Sequence, residues 1–232
     1  MKKLTHHRLV PSWAGAGVGL LALAAIGCGP EAGKPKGPPE GPFAVSDYFA
    51  ASGAMGDGST PPRLTINEGK ECKARPTGAR GNCFAFFYDP SIPTSMEPAV
   101  PSVLWSGLYW QYPPNNWGEE PGLKLPAGLT KVSFQAAVAD GKNEMVQFAA
   151  GGIGIPADAT LTDYPNDDVF RAPLEVNLNG EWAKLEIMLP QDPNQPINEL
   201  IGAFTWSLNY PMDTDPTLVE PKTLYIDDLF YE

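Results

Sequence analysis

Between residues 131 and 150 apolar and polar side chains alternate with a period of two. Val132, Phe134, Ala136 and Val138 are interleaved with Lys131, Ser133 and Gln135, the mark of a strand with one face buried and one face wet. Asp140-Gly141-Lys142-Asn143 reads as a turn, and Val146, Phe148 and Ala150 resume the alternation. Leu185, Ile187 and Leu189 alternate in the same way with Lys184 and Glu186. Further runs of strand character lie at Arg63–Ile66, Cys83–Tyr88, Leu104–Gln111, Leu174–Leu178, Leu200–Leu208 and Thr223–Tyr231. Gly, Pro, Asn and Asp cluster between most of these runs, which gives about nine strands punctuated by turns. No segment carries a helical stripe of useful length with caps. The pattern predicts an all-β fold, an antiparallel β-sandwich, with one domain over residues 43–232 and no convincing internal repeat.

The first 42 residues follow a different pattern. Lys2, Lys3 and Arg8 precede an apolar run from Ala14 to Ile26, closed by Gly27 and Cys28. A basic start, a short apolar stretch and small residues at its end make a secretory signal peptide over residues 1–27. A membrane span needs about twenty apolar residues, so this stretch is too short to remain as one. The ending Ala24-Ala25-Ile26-Gly27-Cys28 resembles a bacterial lipobox. That resemblance implies cleavage before Cys28, lipidation of its sulfur and amine, and anchoring of the exported chain to a bacterial membrane. The residue after the cysteine is Gly29, not the Asp associated with inner-membrane retention, so the resemblance points to the outer membrane or cell surface. Residues 28–42, dense in Gly and Pro, read as an extended tether.

Charge and residue inventory then remove whole classes of chemistry. The chain of 232 residues carries a net charge of −11, which argues against nucleic acid as a partner. Both histidines, His6 and His7, lie in the leader, so the processed chain has none. Histidine general acid–base catalysis, Ser-His-Asp triads and His-ligated metal centres are excluded. Cys72 and Cys83 form an even pair in an exported chain, and a disulfide is expected. Closing a loop of about twelve residues contributes roughly 3 kcal/mol by chain entropy.

Several segments resemble carbohydrate-binding modules of the galactose-binding-like jelly-roll fold. The closing runs LIGAFTWSL and TLYIDDLFY are similar to the last two strands of such modules. The middle runs LKLPAGLTKVSFQAAV, EMVQFAAGGI and NGEWAKLEIMLP, and the opening VSDYF, extend the likeness from Val45 to Tyr231. The segment Ser52–Pro101, which holds the cysteine pair, departs from the pattern. The resemblance implies a structural Ca2+ with a carboxylate from the last strand, Asp227 or Asp228, and a second from near the first, Asp47 or Asp57. Calcium takes six to eight oxygens, which such a chain can supply. The alternative is that these acids are solvated or satisfy turn amides. The acidic run Asp163–Asp168 lacks EF-hand spacing and reads as a loop.

The most distinctive stretch is WSGLYWQYPPNNWGEEPG, residues 105–122. On an extended strand Trp105 and Tyr109 share one face, and Leu104, Leu108 and Trp110 the other. Trp105 and Trp110 are expected in the core. Tyr112 and Trp117 leave the strand through Pro113-Pro114-Asn115-Asn116 and are expected at the surface. Sugar rings stack on such aromatics, and Gln111, Asn115, Asn116 and Glu119 stand near enough in sequence to bond hydroxyls. The expected function is non-catalytic binding of a polysaccharide or cell-surface glycan. The alternatives are an envelope scaffold, and a hydrolase using two carboxylates among Glu119, Glu120, Asp163, Asp167 and Asp168.

Overall fold

The computed structural model describes residues 37–59, 63–69, 72–92, 101–154 and 165–232. The expected signal peptide, Cys28, most of the expected tether and Asp163 lie outside the described residues. The strands are β1 (Phe43–Ala44), β2 (Ala50–Gly56), β3 (Leu64–Glu68), β4 (Phe84–Tyr88), β5 (Trp105–Gln111), β6 (Leu123–Lys124) and β7 (Lys131–Val138). They continue with β8 (Glu144–Gly151), β9 (Arg171–Leu178), β10 (Ala183–Met188), β11 (Glu199–Leu200), β12 (Gly202–Asn209) and β13 (Lys222–Tyr231). Short 3-10 turns occur at Val45–Asp47 and Pro216–Leu218.

Two antiparallel sheets face each other. The first runs β10-β7-β13-β4-β3, with β1 added against the end of β13; the second runs β2-β5-β12-β8-β9. The pair β6–β11 stands apart as a two-stranded ladder. The alternation read from sequence decides which side chains enter the core. Val132, Phe134, Ala136 and Val138 of β7 meet Val146, Phe148 and Ala150 of β8 among the buried cluster. Ring contacts close the space between the sheets: Phe134 and Phe204 at 4.8 Å, Phe86 and Trp206 at 4.8 Å, and Phe84 and Trp110 at 5.1 Å. The Tyr231 hydroxyl donates to the Ala203 carbonyl at 2.6 Å, joining the last strand of one sheet to β12 of the other.

The expected β-sandwich is the observed one, with two informative differences. Strand β2, Ala-Ala-Ser-Gly-Ala-Met-Gly, was not predicted, because it has no alternating large apolar residues. Its glycines make room for neighbours on β5. A Cβ on Gly53 would lie 2.6 Å from the Gln111 side chain, and one on Gly56, at φ +57°, would lie 2.7 Å from the Trp105 ring. Trp105 accordingly lies half-buried on the outer face of its sheet, not in the core as expected, whereas Trp110 is fully buried. Strand β9 starts earlier than predicted and accommodates Pro173, since an edge strand can lose one ladder donor.

Candidate functional site

The loop that follows β5 is fastened from within. Gln111 is completely buried; its amide donates to the Asn116 carbonyl at 2.8 Å, and its side-chain oxygen accepts from the Ser52 hydroxyl at 3.0 Å. Asn116, 4% exposed, donates to the carbonyls of Tyr112 and Glu120 and accepts from the N–H groups of Gly118 and Glu120. These two side chains therefore spend their hydrogen bonds on the loop itself. The expectation that Gln111 and Asn116 bond sugar hydroxyls is corrected accordingly. Asn115 and Glu119 are exposed; the Asn115 N–H donates to Ser52, and Glu119 accepts from the Trp117 N–H. Tyr112 is half-buried edge-on against Phe49, with ring centroids 6.1 Å apart. Trp117 is also half-buried, edge-on to Tyr109 at 5.9 Å, in a small apolar group with Ile153 and Ile201.

The four acids expected at a calcium ion do not converge. Asp57 is 2% exposed and already holds Arg63 at 3.2 Å, the Tyr88 hydroxyl at 2.7 Å, the Val103 N–H and Ser102. Burial, and then the Asp57 carboxylate, push the Tyr88 hydroxyl well above the usual tyrosine range. Asp227, fully buried, receives two bonds from Arg75, while Asp228 receives Arg80 at 3.0 Å. Asp47 lies exposed on the first 3-10 turn. Among the described residues no group of three or more His, Cys, Asp or Glu is placed to hold a metal ion. Guanidinium groups already neutralise three of the four carboxylates, so these residues do not fit calcium. The cysteine pair is bonded, Cys72 to Cys83.

Asp168 is the carboxylate whose acidity is most changed, and it belongs to the acids considered for hydrolysis. Burial raises its pKa to about 6, against the lowering effect of backbone N–H donors. Such a value suits a general acid, but the oxygens face inward, accepting from the N–H groups of Ile153, Ile201 and Gly202 at 2.7–3.2 Å. Asp168 ties the chain after β8 to the start of β12.

A face that the sequence did not reveal lies on the outer side of the first sheet. On β4, Phe84, Phe86 and Tyr88 turn into the core, leaving Ala85 and Phe87 outward. The register pairs Phe87 with Thr65 on one side and Thr223 on the other. It pairs Ala85 with Asn67 and Tyr225. Two rows result, Thr-Phe-Thr and Asn-Ala-Tyr, around a shallow depression of about 260 Å³. Phe87 is 37% exposed at its centre, although a core-forming residue of this size is ordinarily inside. Ala85 forms a low floor between larger neighbours. Beyond Tyr225 stands half-buried Trp182, its ring centroid 6.3 Å away and tilted by 56°.

No protein-family model matches the chain, and no curated protein matches it. Among solved structures the chain is similar to the family 11 carbohydrate-binding module from Clostridium thermocellum in complex with a β-1,3-1,4-mixed-linked tetrasaccharide. The identity is 12%, over 78% of this chain and 96% of that one, with a TM-score of 0.35. It is similar to the family 30 module of a cellulosomal cellulase of the same organism, at 9% identity over 83% and 93% of the two chains, TM-score 0.42. A third similarity is to a module in complex with β-1,4-galactotriose, at 17% identity over 81% and 92%, TM-score 0.36. At scores below 0.5 the likeness decides neither a site nor a ligand.

Proposed function

We propose that the protein is exported, anchored to a bacterial membrane through acylated Cys28, and uses its β-sandwich to bind a neutral glycan chain without cleaving it. The observation that carries the reading is Phe87, an exposed ring on the outer face of the sheet with a threonine on either side. An aromatic face takes the C–H face of a sugar ring, while threonine hydroxyls and the Asn67 amide are suited to its hydroxyls. None of the six lining residues carries a charge, and the net charge of −11 disfavours an anionic polysaccharide. Non-catalytic action is supported by the absence of histidine after residue 7 and by the inward commitment of both Asp168 oxygens. A second platform is supported by the half-exposed Trp117 with Glu119 and Asn115 beside it.

The experiment is retention on a panel of immobilised neutral glycans (cellulose-type, galactan, mannan and xylan chains) with wild type, Phe87→Ala and Trp117→Ala. Loss of retention in Phe87→Ala, with an almost unchanged melting temperature and no reducing-end release, supports the proposal. Loss in Trp117→Ala alone moves the site to the loop. Retention of wild type on no glycan overturns the reading in favour of a scaffold role.

A further inference from the structure

The aromatic face is completed by a residue that the sheet itself does not hold. Trp182 belongs to the connection between β9 of the second sheet and β10 of the first, and its indole N–H donates to the Ala74 carbonyl at 2.7 Å. Ala74 sits two positions after Cys72, inside the loop closed by the Cys72–Cys83 bond. That loop is pinned at several points. Lys73 pairs with Asp140 in the β7–β8 turn. Arg75 grips Asp227 and also donates to the Gly81 carbonyl at 2.9 Å, crossing the loop from one side to the other. Arg80 binds Asp228 and Glu232 and lies over the Phe230 ring at 3.9 Å. The carbonyl that fixes Trp182 is thus presented by a short loop held by a covalent bond at its ends and by ion pairs along its length.

We propose that the disulfide loop sets Trp182 as a further ring of the ligand face, beside Tyr225, and that Trp182 determines which glycans the face accepts. This rests on the reading of Phe87 as a glycan platform. A tryptophan side chain has two rotatable bonds, and this one is partly open to solvent. Without its N–H partner the indole loses the contact that orients it beside Tyr225. A further ring fixed at 6.3 Å and 56° to Tyr225 selects sugars by the turn between successive residues, whereas Phe87 and Tyr225 alone accept any exposed sugar face. The cysteine pair therefore serves recognition as well as stability.

Three variants separate this inference from the reading beneath it: Trp182→Phe, the double variant Cys72→Ser with Cys83→Ser, and Phe87→Ala, each measured on every glycan of the panel. Trp182→Phe keeps a ring but removes the N–H donor, so it should weaken binding at least tenfold and narrow the preference between panel glycans. The double serine variant should show the same loss, together with disappearance of the protected Trp182 indole N–H signal in two-dimensional NMR. The signals of buried Trp110 and Trp206 should persist, showing that the core is intact. If Phe87→Ala abolishes binding while both other variants bind and discriminate as wild type does, the inference is overturned and the platform stands. If Phe87→Ala binds normally, the platform itself is wrong. A double serine variant that fails to fold leaves Trp182→Phe to decide, since that change leaves the disulfide and its ion pairs in place.

Discussion

Arg75 and Asp227 meet in a two-point ion pair, with Nε and Nη2 of the guanidinium donating to the two carboxylate oxygens at 2.7 and 2.6 Å. The carboxylate is fully buried on the last strand, whereas Arg75 is 41% exposed and comes from the disulfide loop. The pair raises the already high pKa of Arg75, the hydrogen bond to Asp227 being the main cause. A bidentate guanidinium supplies geometry and charge together, and this one occupies the position at which a metal ion was expected from sequence.

Chelation should therefore leave the fold untouched, and the melting temperature in EDTA should equal that in calcium. Arg75→Ala should cost about 2–4 kcal/mol, because it strands a buried charge whose partner was only partly screened. Urea midpoints measure the cost. A calcium-dependent rise in the wild-type melting temperature would restore the metal.

Gln111→Ala should loosen the loop after β5, by removing the donor to Asn116 and the acceptor of Ser52 in a buried place. A loss of about 1–3 kcal/mol is expected, with protease cleavage appearing between Tyr112 and Gly122. Binding at the Phe87 face should not change. If glycan affinity falls with stability intact, Gln111 reaches ligand after all.

Asp168 imposes a pH dependence of definite sign. Its folded pKa of about 6 lies above the unfolded value of 3.8, so the native state holds the proton more tightly. Its contribution to stability is complete below about pH 4 and is lost as the pH rises through 6, an effect of order 3 kcal/mol. Asp168→Asn copies the neutral shape, and so should lose more stability relative to wild type at pH 4.5 than at pH 7.5. The reverse order in urea unfolding would mean that the three N–H donors keep the carboxylate ionised.

Cys28→Ser should release the protein into the soluble fraction, whereas a variant that stays membrane-bound and unprocessed overturns the reading of residues 1–28. Cell fractionation and intact mass decide this. Acylated wild type should be heavier than the bare chain starting at residue 28, and a wild type lacking acyl chains contradicts the anchor.

The disulfide partners could be named from sequence because, with Cys28 set aside as the expected lipidation site, only Cys72 and Cys83 remain. What that loop touches could not, since Arg75 and Asp227 are 152 positions apart. The aromatic loop shows the same boundary. Tyr112 and Trp117 were expected at the surface and are half-buried, whereas Gln111 and Asn116 looked like surface amides and turned out to be the loop's internal fastening.

Period-two alternation by itself marked most of the long strands and the sandwich, because burial of every second side chain is a local property of an extended chain. Tertiary structure alone decided the site. Thr65, Phe87 and Thr223 lie on three strands, and only the antiparallel register sets them in a row. The clue at Phe87 was present, a large apolar residue at an outward position of β4, but its meaning depended on which neighbours the ladder placed beside it. Glycine-rich β2 escaped notice for the complementary reason. Its residues are small to fit Gln111 and Trp105 across the ladder, and a requirement for empty space leaves no periodic trace in the strand that provides it.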